Sequence, residues 1–390
     1  MPLKVLFIFG TRPEAVKLCP VIQHMESRAG EFDVRVCVTA QHREILDQVL
    51  HAFRVTPHRD LDVMRPGQSL PQSTSRIVAA LEPILAEERP GVVLVQGDTT
   101  TTLCGALVAF YAKIPVGHVE AGLRTGDPQE PFPEEMNRVL TARIASFHFA
   151  ATEGAAQNLY DEGVDPAAIT VTGNTGIDAV LHVERALEAG RLAGLDGFRL
   201  DASKKLLVVT AHRRESFGAG FEQICVALSR LARRGDVEIV YPVHPNPNVR
   251  QVVSRYLSGQ TNIRLIEPMD YVPFVDLMRR AHLLLTDSGG IQEEGPSLGK
   301  PVVVLRDKTE RPEAVAAGTA RLAGTRAPRI VEEVERLLDD PQAYGQMARR
   351  HNPYGDGRAS ERIANVLAAS CNARCTGPGR LAEVNVGGGQ

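Results

Sequence analysis

A chain of 390 residues has room for roughly two domains, and 43% hydrophobic with 23% charged residues is the make-up of an ordinary soluble globular protein. A formal net charge of -3 with both signs interspersed argues against a nucleic-acid or membrane-surface partner. No apolar run approaches the roughly 20 residues that span a bilayer, and MPLKVLFIFG reads directly as a strand, so the expected location is cytoplasmic. The cysteines at 19, 37, 104, 225, 371 and 375 are scattered. Only the last pair is close, in a Gly-rich stretch without partner ligands, so they read as reduced thiols, mostly buried. With no H-E-x-x-H or comparable pair, neither a metal nor another cofactor is expected.

Lys4 to Phe9 is an apolar run of strand length that ends in Gly10-Thr11-Arg12-Pro13-Glu14, with Pro13 suited to the first turn of a helix. Neither G-x-G-x-x-G nor G-x-x-x-x-G-K-[ST] is present; what this turn offers is Arg12 and, a little further on, Lys17. Val34 to Thr39 predicts a second strand, followed by Ala40-Gln41-His42-Arg43. Ser69 to Glu88 predicts a long helix, and Val92 to Gln96 a third strand. Two further turns are expected where such sheets place ligands: Gln96 to Thr102, and Gly117 to Arg124. Pro131 to Glu135 opens a helix whose expected core face is Met136, Val139, Leu140 and Ile144. Glu134 and Arg138 lie opposite, facing any cleft.

Phe147 to Ala150 and Ile169 to Val171 complete the first half, and Thr172 to Gly176 is the candidate linker. The strand–helix alternation then restarts with strands at 206–210, 237–243, 263–266 and 302–305. A final helix is expected over 358–370, and a disordered tail over 371–390. The alternation predicts an α/β fold of two doubly wound, Rossmann-like domains, 1–172 and 173–357. Within the second, His282 to Leu298 is a short apolar strand, a Ser288-Gly289-Gly290 turn and a helix with Ile291, Gly295 and Leu298 on one face. Free backbone N–H groups and the positive dipole end there suit an anion such as a diphosphate. One echo stands out: Arg12-Pro13-Glu14-Ala15-Val16 recurs as Arg311-Pro312-Glu313-Ala314-Val315, so each half presents an arginine at a strand end.

In this order, GTRPEAVK, GDTTTT, GHVEAGLRTGD with FPEEMNR, TAHRRESFG and TDSGGIQEEGPSLGKPVVVLRDKTERPEAV closely resemble the non-hydrolysing UDP-N-acetylglucosamine 2-epimerases. The resemblance runs from Lys4 to about Arg362. It implies the glycosyltransferase-B type of fold, with the last helix crossing back to the first domain, and a homodimer. It also implies interconversion of UDP-GlcNAc and UDP-ManNAc. The C2 proton of the sugar is not next to a carbonyl, so the family eliminates UDP to a 2-acetamidoglucal and re-adds it with the proton on the other face. Such chemistry needs acid/base groups, cations for the diphosphate and exclusion of water.

By resemblance, Asp98, Glu120 and Glu134 are the acid/base groups, and His212 supports the leaving group. Ser288, Gly289 and Gly290 hold the phosphates beside Arg12, Arg311 and Lys17; Glu294 takes the ribose hydroxyls, and Phe274 lines the uracil pocket. Gln41, His42 and His244 match positions near a regulatory UDP-GlcNAc site of some bacterial members. Gly67 stands where some of those carry an arginine, which argues against allosteric activation. Other readings differ in class: a transferase of the same fold, which needs an acceptor pocket, an epimerase of a modified UDP-HexNAc, a hydrolysing epimerase, or a non-catalytic nucleotide-sugar binder. The acids and cations disfavour the last.

Overall fold

Alternation of apolar and helical segments becomes two parallel sheets. The computed structural model describes residues 1–39, 43–65, 67–213, 216–348 and 352–376. The first half runs β1 (Leu3–Phe9), α1 (Arg12–Glu26), β2 (Phe32–Val38), α2 (Arg43–Ala52), β3 (Arg59–Asp60), α3 (Leu70–Glu88), β4 (Val92–Gln96), α4 (Thr100–Tyr111), β5 (Val116–Ala121), α5 (Glu134–Ile144), β6 (Phe147–Ala150), α6 (Glu153–Asp161), β7 (Ile169–Val171) and α7 (Thr175–Glu188). The second runs β8 (Lys205–Thr210), α8 (Ala219–Leu231), β9 (Val237–Pro242), α9 (Pro247–Leu257), β10 (Ile263–Ile266), α10 (Tyr271–Arg280), β11 (Leu283–Thr286), α11 (Gly289–Ser297), β12 (Val302–Val304), α12 (Pro312–Ala316), β13 (Ala320–Leu322), α13 (Ala327–Asp339), α14 (Pro341–Ala348) and α15 (Ala359–Thr376).

Strand order is β3-β2-β1-β4-β5-β6-β7 in one sheet and β10-β9-β8-β11-β12-β13 in the other. Each order reverses beside its first strand, so the β1/β4 and β8/β11 crevices are the two switch points where ligands are expected. The strands are buried on both faces. In β1, Val5, Phe7 and Phe9 pack toward α1 and α2, while Leu6 and Ile8 pack toward α3 and α4. In β8, Leu207 and Val209 face α8 and α13, whereas Leu206 and Val208 lie in the other core. Truncating one such residue, Phe7→Ala, costs about 3–5 kcal/mol through lost burial and the cavity left behind.

The halves are stitched by helices and by polar contacts. Helix α7 packs against α1, α10, α11 and α15, and α15 returns to α1. There Ile363, Ala364 and Leu367 join the core that includes Leu18 and Val21. The Asp178 carboxylate on α7 receives the backbone N–H groups of Ala359 and Ser360 at 3.2 and 2.8 Å, which fixes the start of α15. Thr152 donates to Glu313 at 3.2 Å across the halves, and Asn174 in the linker donates to Glu293 at 2.8 Å. Among the described residues no helix is long and apolar enough to cross a membrane.

Three expectations are corrected. Gly117 to Arg124 is not one turn: residues 116–121 form β5 between β4 and β6, and the loop starts at Gly122. Gly117 and His118 interrupt the apolar run, yet both are buried inside the sheet. The core face of α5 is the reverse of that expected. Met136 and Leu140 are 38% and 43% exposed, while Glu135, Asn137 and Arg138 are buried. The last helix continues through Thr376, so the tail does not begin at 371; residues 377–390 lie outside those described.

Candidate active site

At the first switch point the turn after β1 is drawn tight. A Cβ on Gly10 would lie 2.1 Å from Thr39 Oγ1, so only glycine passes here. Thr11 caps α1, and Glu14 completes a capping box. The buried Glu14 carboxylate takes the N–H groups of Gly10 and Thr11 at 3.0 and 2.7 Å and the Thr99 hydroxyl at 2.8 Å. It thereby ties the β1 and β4 turns together. Burial still pushes its carboxyl up, against these hydrogen bonds.

Asp98 follows Gly97 at the end of β4. Its backbone carbonyl accepts from Asn137 at 2.9 Å, and its carboxylate lies 3.3 Å from Arg138. Burial, and then the charge of Glu120, push the Asp98 carboxyl up to about 6, with Arg138 and Lys17 opposing. Arg138 is also held by Glu135, 2.6 Å away, whose carboxylate receives the N–H groups of Thr125 and Gly126. Burial would raise Glu135, but these bonds and the guanidinium hold it low. Glu134 starts α5 on the same face as Arg138, partly buried, and its charge adds to the raising of Asp98.

Glu120 is a strained residue. Its φ is +65° at a register slip between Val119 and Ala121, where β5 bulges. Such a conformation in a non-glycine residue costs on the order of 1–3 kcal/mol and persists where neighbours hold it. Lys17 and the Gln96 amide both bond its carboxylate. Burial alone would lower the Lys17 ammonium, yet Glu120 and Glu293 raise it, so it stays charged.

Across the cleft, Ser288 precedes α11 without capping it through its side chain. The first N–H groups of that helix are left for another acceptor. A Cβ on Gly290 would meet nothing closer than Glu294 Oε1 and Ser288 Oγ, each at 4.0 Å, so packing does not demand glycine and the space above the turn stays open. The Arg311 guanidinium lies over the turn, Nη2 being 3.5 Å from where a Gly289 Cβ would stand, and it pairs with the buried Glu293. Burial, then Glu293 beside it, push the Glu294 carboxyl up to about 8, with Lys17 and Arg12 opposing. Arg12 is exposed and acts on Glu294 and Tyr271 by charge. Phe274 is half-buried against the core. His212, after β8, lies 3.9 Å from Asp287 and stacks on His244 at 5.0 Å.

The expected acids, cations and anion turn therefore gather at the two switch points. Gln41 and His42 lie outside the described residues, and His244 stands against His212. Sequence reasoning missed Glu14, Glu135, Glu293 and Asp287, each of which holds another member. Thr11-x-x-Glu14 is a capping-box pattern that makes Glu14 legible. No comparable pattern marks the other three.

Carboxylates at one switch point facing an uncapped helix start and a guanidinium at the other form the site of a two-domain α/β enzyme acting on an anionic ligand. The model of the UDP-N-acetylglucosamine 2-epimerase family matches residues 24–368, and the chain belongs to that family. The Escherichia coli K12 UDP-N-acetylglucosamine 2-epimerase is 57% identical over 371 residues, covering 94% of this chain and 98% of its own. The Neisseria meningitidis UDP-GlcNAc 2-epimerase bound to UDP-GlcNAc superposes with a TM-score of 0.86 at 47% identity, over 94% of this chain and all of that one. The Methanocaldococcus jannaschii UDP-GlcNAc 2-epimerase in complex with UDP-GlcNAc and UDP gives 0.73 at 34%, again over 94% and 100%.

Proposed function

We propose that this protein interconverts UDP-GlcNAc and UDP-ManNAc as a non-hydrolysing isomerase, in the supply of ManNAc-type sugars for bacterial surface polysaccharides. The carrying observation is the cluster of Asp98, Glu120 and Glu134 around Lys17 and Arg138, opposite the open Ser288–Gly290 turn. In this reading residues 173–357 form the UDP-binding domain. The diphosphate sits on the α11 start under Arg311, with Arg12 and Lys17 beside it. Glu294 accepts the ribose hydroxyls, and Phe274 lines the uracil.

One carboxylate removes the C2 proton as the C1–O bond breaks and its electron pair leaves with UDP, giving 2-acetamidoglucal. The diphosphate oxygen then attacks C1 again, while a carboxylic acid on the other face returns a proton to C2. Asp98, raised to about 6, can exchange a proton near neutral pH. His212 and the arginines stabilise the negative charge that develops on UDP.

Conversion in deuterated water with chelator tests this. UDP-ManNAc carrying deuterium at C2 is expected by NMR, and free ManNAc as the main product would move the assignment to a hydrolysing enzyme. An open cavity of about 1110 Å3 beside the cleft, between Arg124, Thr152 and Arg306, is the feature that favours a transferase. A transferase would give UDP and a glycoside, and no deuterium.

The assembly we propose is a homodimer. Phe110 and Tyr111 on α4 and Met136 and Leu140 on α5 are exposed on neighbouring helices, an apolar face that a second copy would cover. Light scattering should give a dimer, and Leu140→Glu should weaken it. The cytoplasmic setting is supported by the buried, unpaired thiols of Cys19, Cys37, Cys104 and Cys225.

A further inference from the structure

We propose that Asp287 is a positioning residue for His212, holding its imidazole with Nδ1–H toward the Asp287 carboxylate so that Nε2 is the nitrogen presented to the leaving diphosphate. This rests on the proposed reaction and assigns a further residue to it.

Asp287 sits between β11 and the anion turn and has no exposed surface. The strand ends of β8 and β11 are welded around it. Its N–H donates to the Thr210 carbonyl at 3.0 Å, and the hydroxyls of Thr210 and Thr286 meet at 2.6 Å. Its Oδ2 receives two backbone N–H groups, from His212 at 2.6 Å and Arg213 at 2.7 Å. That accounts for one oxygen. Oδ1 is buried without a hydrogen-bond partner among the described residues and lies 3.9 Å from His212 Nδ1.

A neutral asparagine oxygen would receive both backbone N–H groups equally well and would cost less to bury than a carboxylate. A charged side chain at this place is explained by the imidazole facing its free oxygen. At 3.9 Å the contact is longer than a hydrogen bond, and it tightens as substrate closes the cleft, as catalytic hydrogen bonds commonly do. On the other side the His244 ring stacks on His212 with only 16° between planes, which fixes the ring's tilt. Among the described residues, the charged and titratable groups facing His212 are Asp287, His244 and Arg213. Burial pushes the imidazole down, Asp287 pulls it back up, and His244 and Arg213 push it further down. In the free chain the ring is therefore neutral at neutral pH with Nδ1–H toward Asp287; the diphosphate of bound substrate adds its charge to that of Asp287, and the ring takes up a proton on Nε2, which then donates to the leaving oxygen. Because Asp287 and Ser288 are consecutive, the same peptide segment sets both the anion turn and the histidine that serves the anion.

The experiment uses the full-length chain. Nitrogen-15 NMR, with the His212 signals assigned by their loss in His212→Gln, should show the neutral imidazole as the Nδ1–H tautomer; an Nε2–H tautomer overturns the proposal without any mutation at Asp287. Asp287→Asn should lower kcat about 10-fold or more with KM for UDP-GlcNAc within about 3-fold. Adding Asp287→Asn to His212→Gln should cost no further kcat, because the one acts through the other. A further loss in the double variant as large as in Asp287→Asn alone would make Asp287 merely structural and overturn the assignment. An unmodified chain without epimerase activity would instead sink the proposed reaction, leaving the tautomer still readable.

Discussion

Lys17 on α1 and Glu120 at the end of β5 meet across 103 residues of sequence as a buried ion pair. Each is costly to bury alone, and the pair sets a cation beside a backbone bulge that only outside support sustains. Lys17→Met therefore removes the counter-charge and leaves a buried carboxylate. Denaturant midpoints should fall by the equivalent of about 3–5 kcal/mol, the range for breaking a buried pair from one side. Lys17→Met with Glu120→Gln should recover much of that loss, since both charges are then gone. A double variant no more stable than Lys17→Met would show that the pair is not the cause.

Arg12 and Arg311 come from opposite halves, and the structure gives them unequal settings. Arg311 lies over Gly289 and is clamped by Glu293, whereas Arg12 is exposed and linked to Glu294 by charge. Replacing either by Ala should weaken UDP binding by on the order of 1.5–3 kcal/mol, the range for hydrogen bonds to charged groups. Arg311→Ala should also lower thermal stability, because Glu293 loses its partner, and Arg12→Ala should not. Calorimetry showing unchanged UDP affinity in both variants would remove them from the site.

Glu294 carries a pH signature. Its carboxyl, pushed up to about 8 by burial and by Glu293, holds a proton at pH 7. Ribose hydroxyls donate to a carboxylate, so UDP favours the ionised form, binding releases a proton, and affinity rises from pH 7 toward 9. A terminal phosphate has its second pKa near about 6 and does not confuse that window. Titrations in buffers of different ionisation enthalpy should show about one proton fewer released, or one more taken up, in Glu294→Gln than in the unmodified protein. An unchanged proton balance in that variant would contradict the ribose role.

Much of this was legible, and the misses have a common cause. Most strands of both sheets read from their apolar runs, though β3 and β13 do not and β5 reads as a turn, and the strand, Ser-Gly-Gly turn and helix around residues 283–297 read in that order. What failed were polar residues whose partners are distant in sequence. Glu293 and Glu294 are adjacent in QEEG, and nothing local tells that Glu293 turns to Arg311 and Asn174. Helix α5 inverts the face its apolar stripe predicts: Arg138 is buried between Asp98 and Glu135, and Met136 faces outward. The echoed RPEAV drew attention to its arginines. Its glutamates do as much: Glu14 ties two turns of one half, and Glu313 bonds Thr152 of the other half.

The three carboxylates stand in three settings, and that separates proton transfer from binding. Asp98 faces Arg138, Glu120 faces Lys17, and Glu134 begins a helix with its carboxylate making no hydrogen bond or ion pair among the described residues. Asp98→Asn, Glu120→Gln and Glu134→Gln keep size and most contacts but remove the titrating group. Turnover should fall by about 100-fold or more, as for loss of a general acid or base, with UDP affinity retained. A carboxyl raised to about 6 also gives the unmodified enzyme an acid limb, with kcat/KM falling below that pH as the base becomes protonated. The charges of Glu120 and Glu134 help hold the Asp98 carboxyl up, so Glu120→Gln and Glu134→Gln should each move that limb to lower pH. Stability runs the other way. The folded state holds the Asp98 proton more tightly than the unfolded chain, so Asp98 contributes most at low pH and loses that contribution as pH rises from about 4 to about 6. Asp98→Asn should therefore be no less stable than the unmodified protein at pH 8 while nearly inactive. A variant blocked mainly in re-addition should release 2-acetamidoglucal and UDP, detectable by NMR. Near-normal turnover in all three amide variants would return these residues to capping and packing.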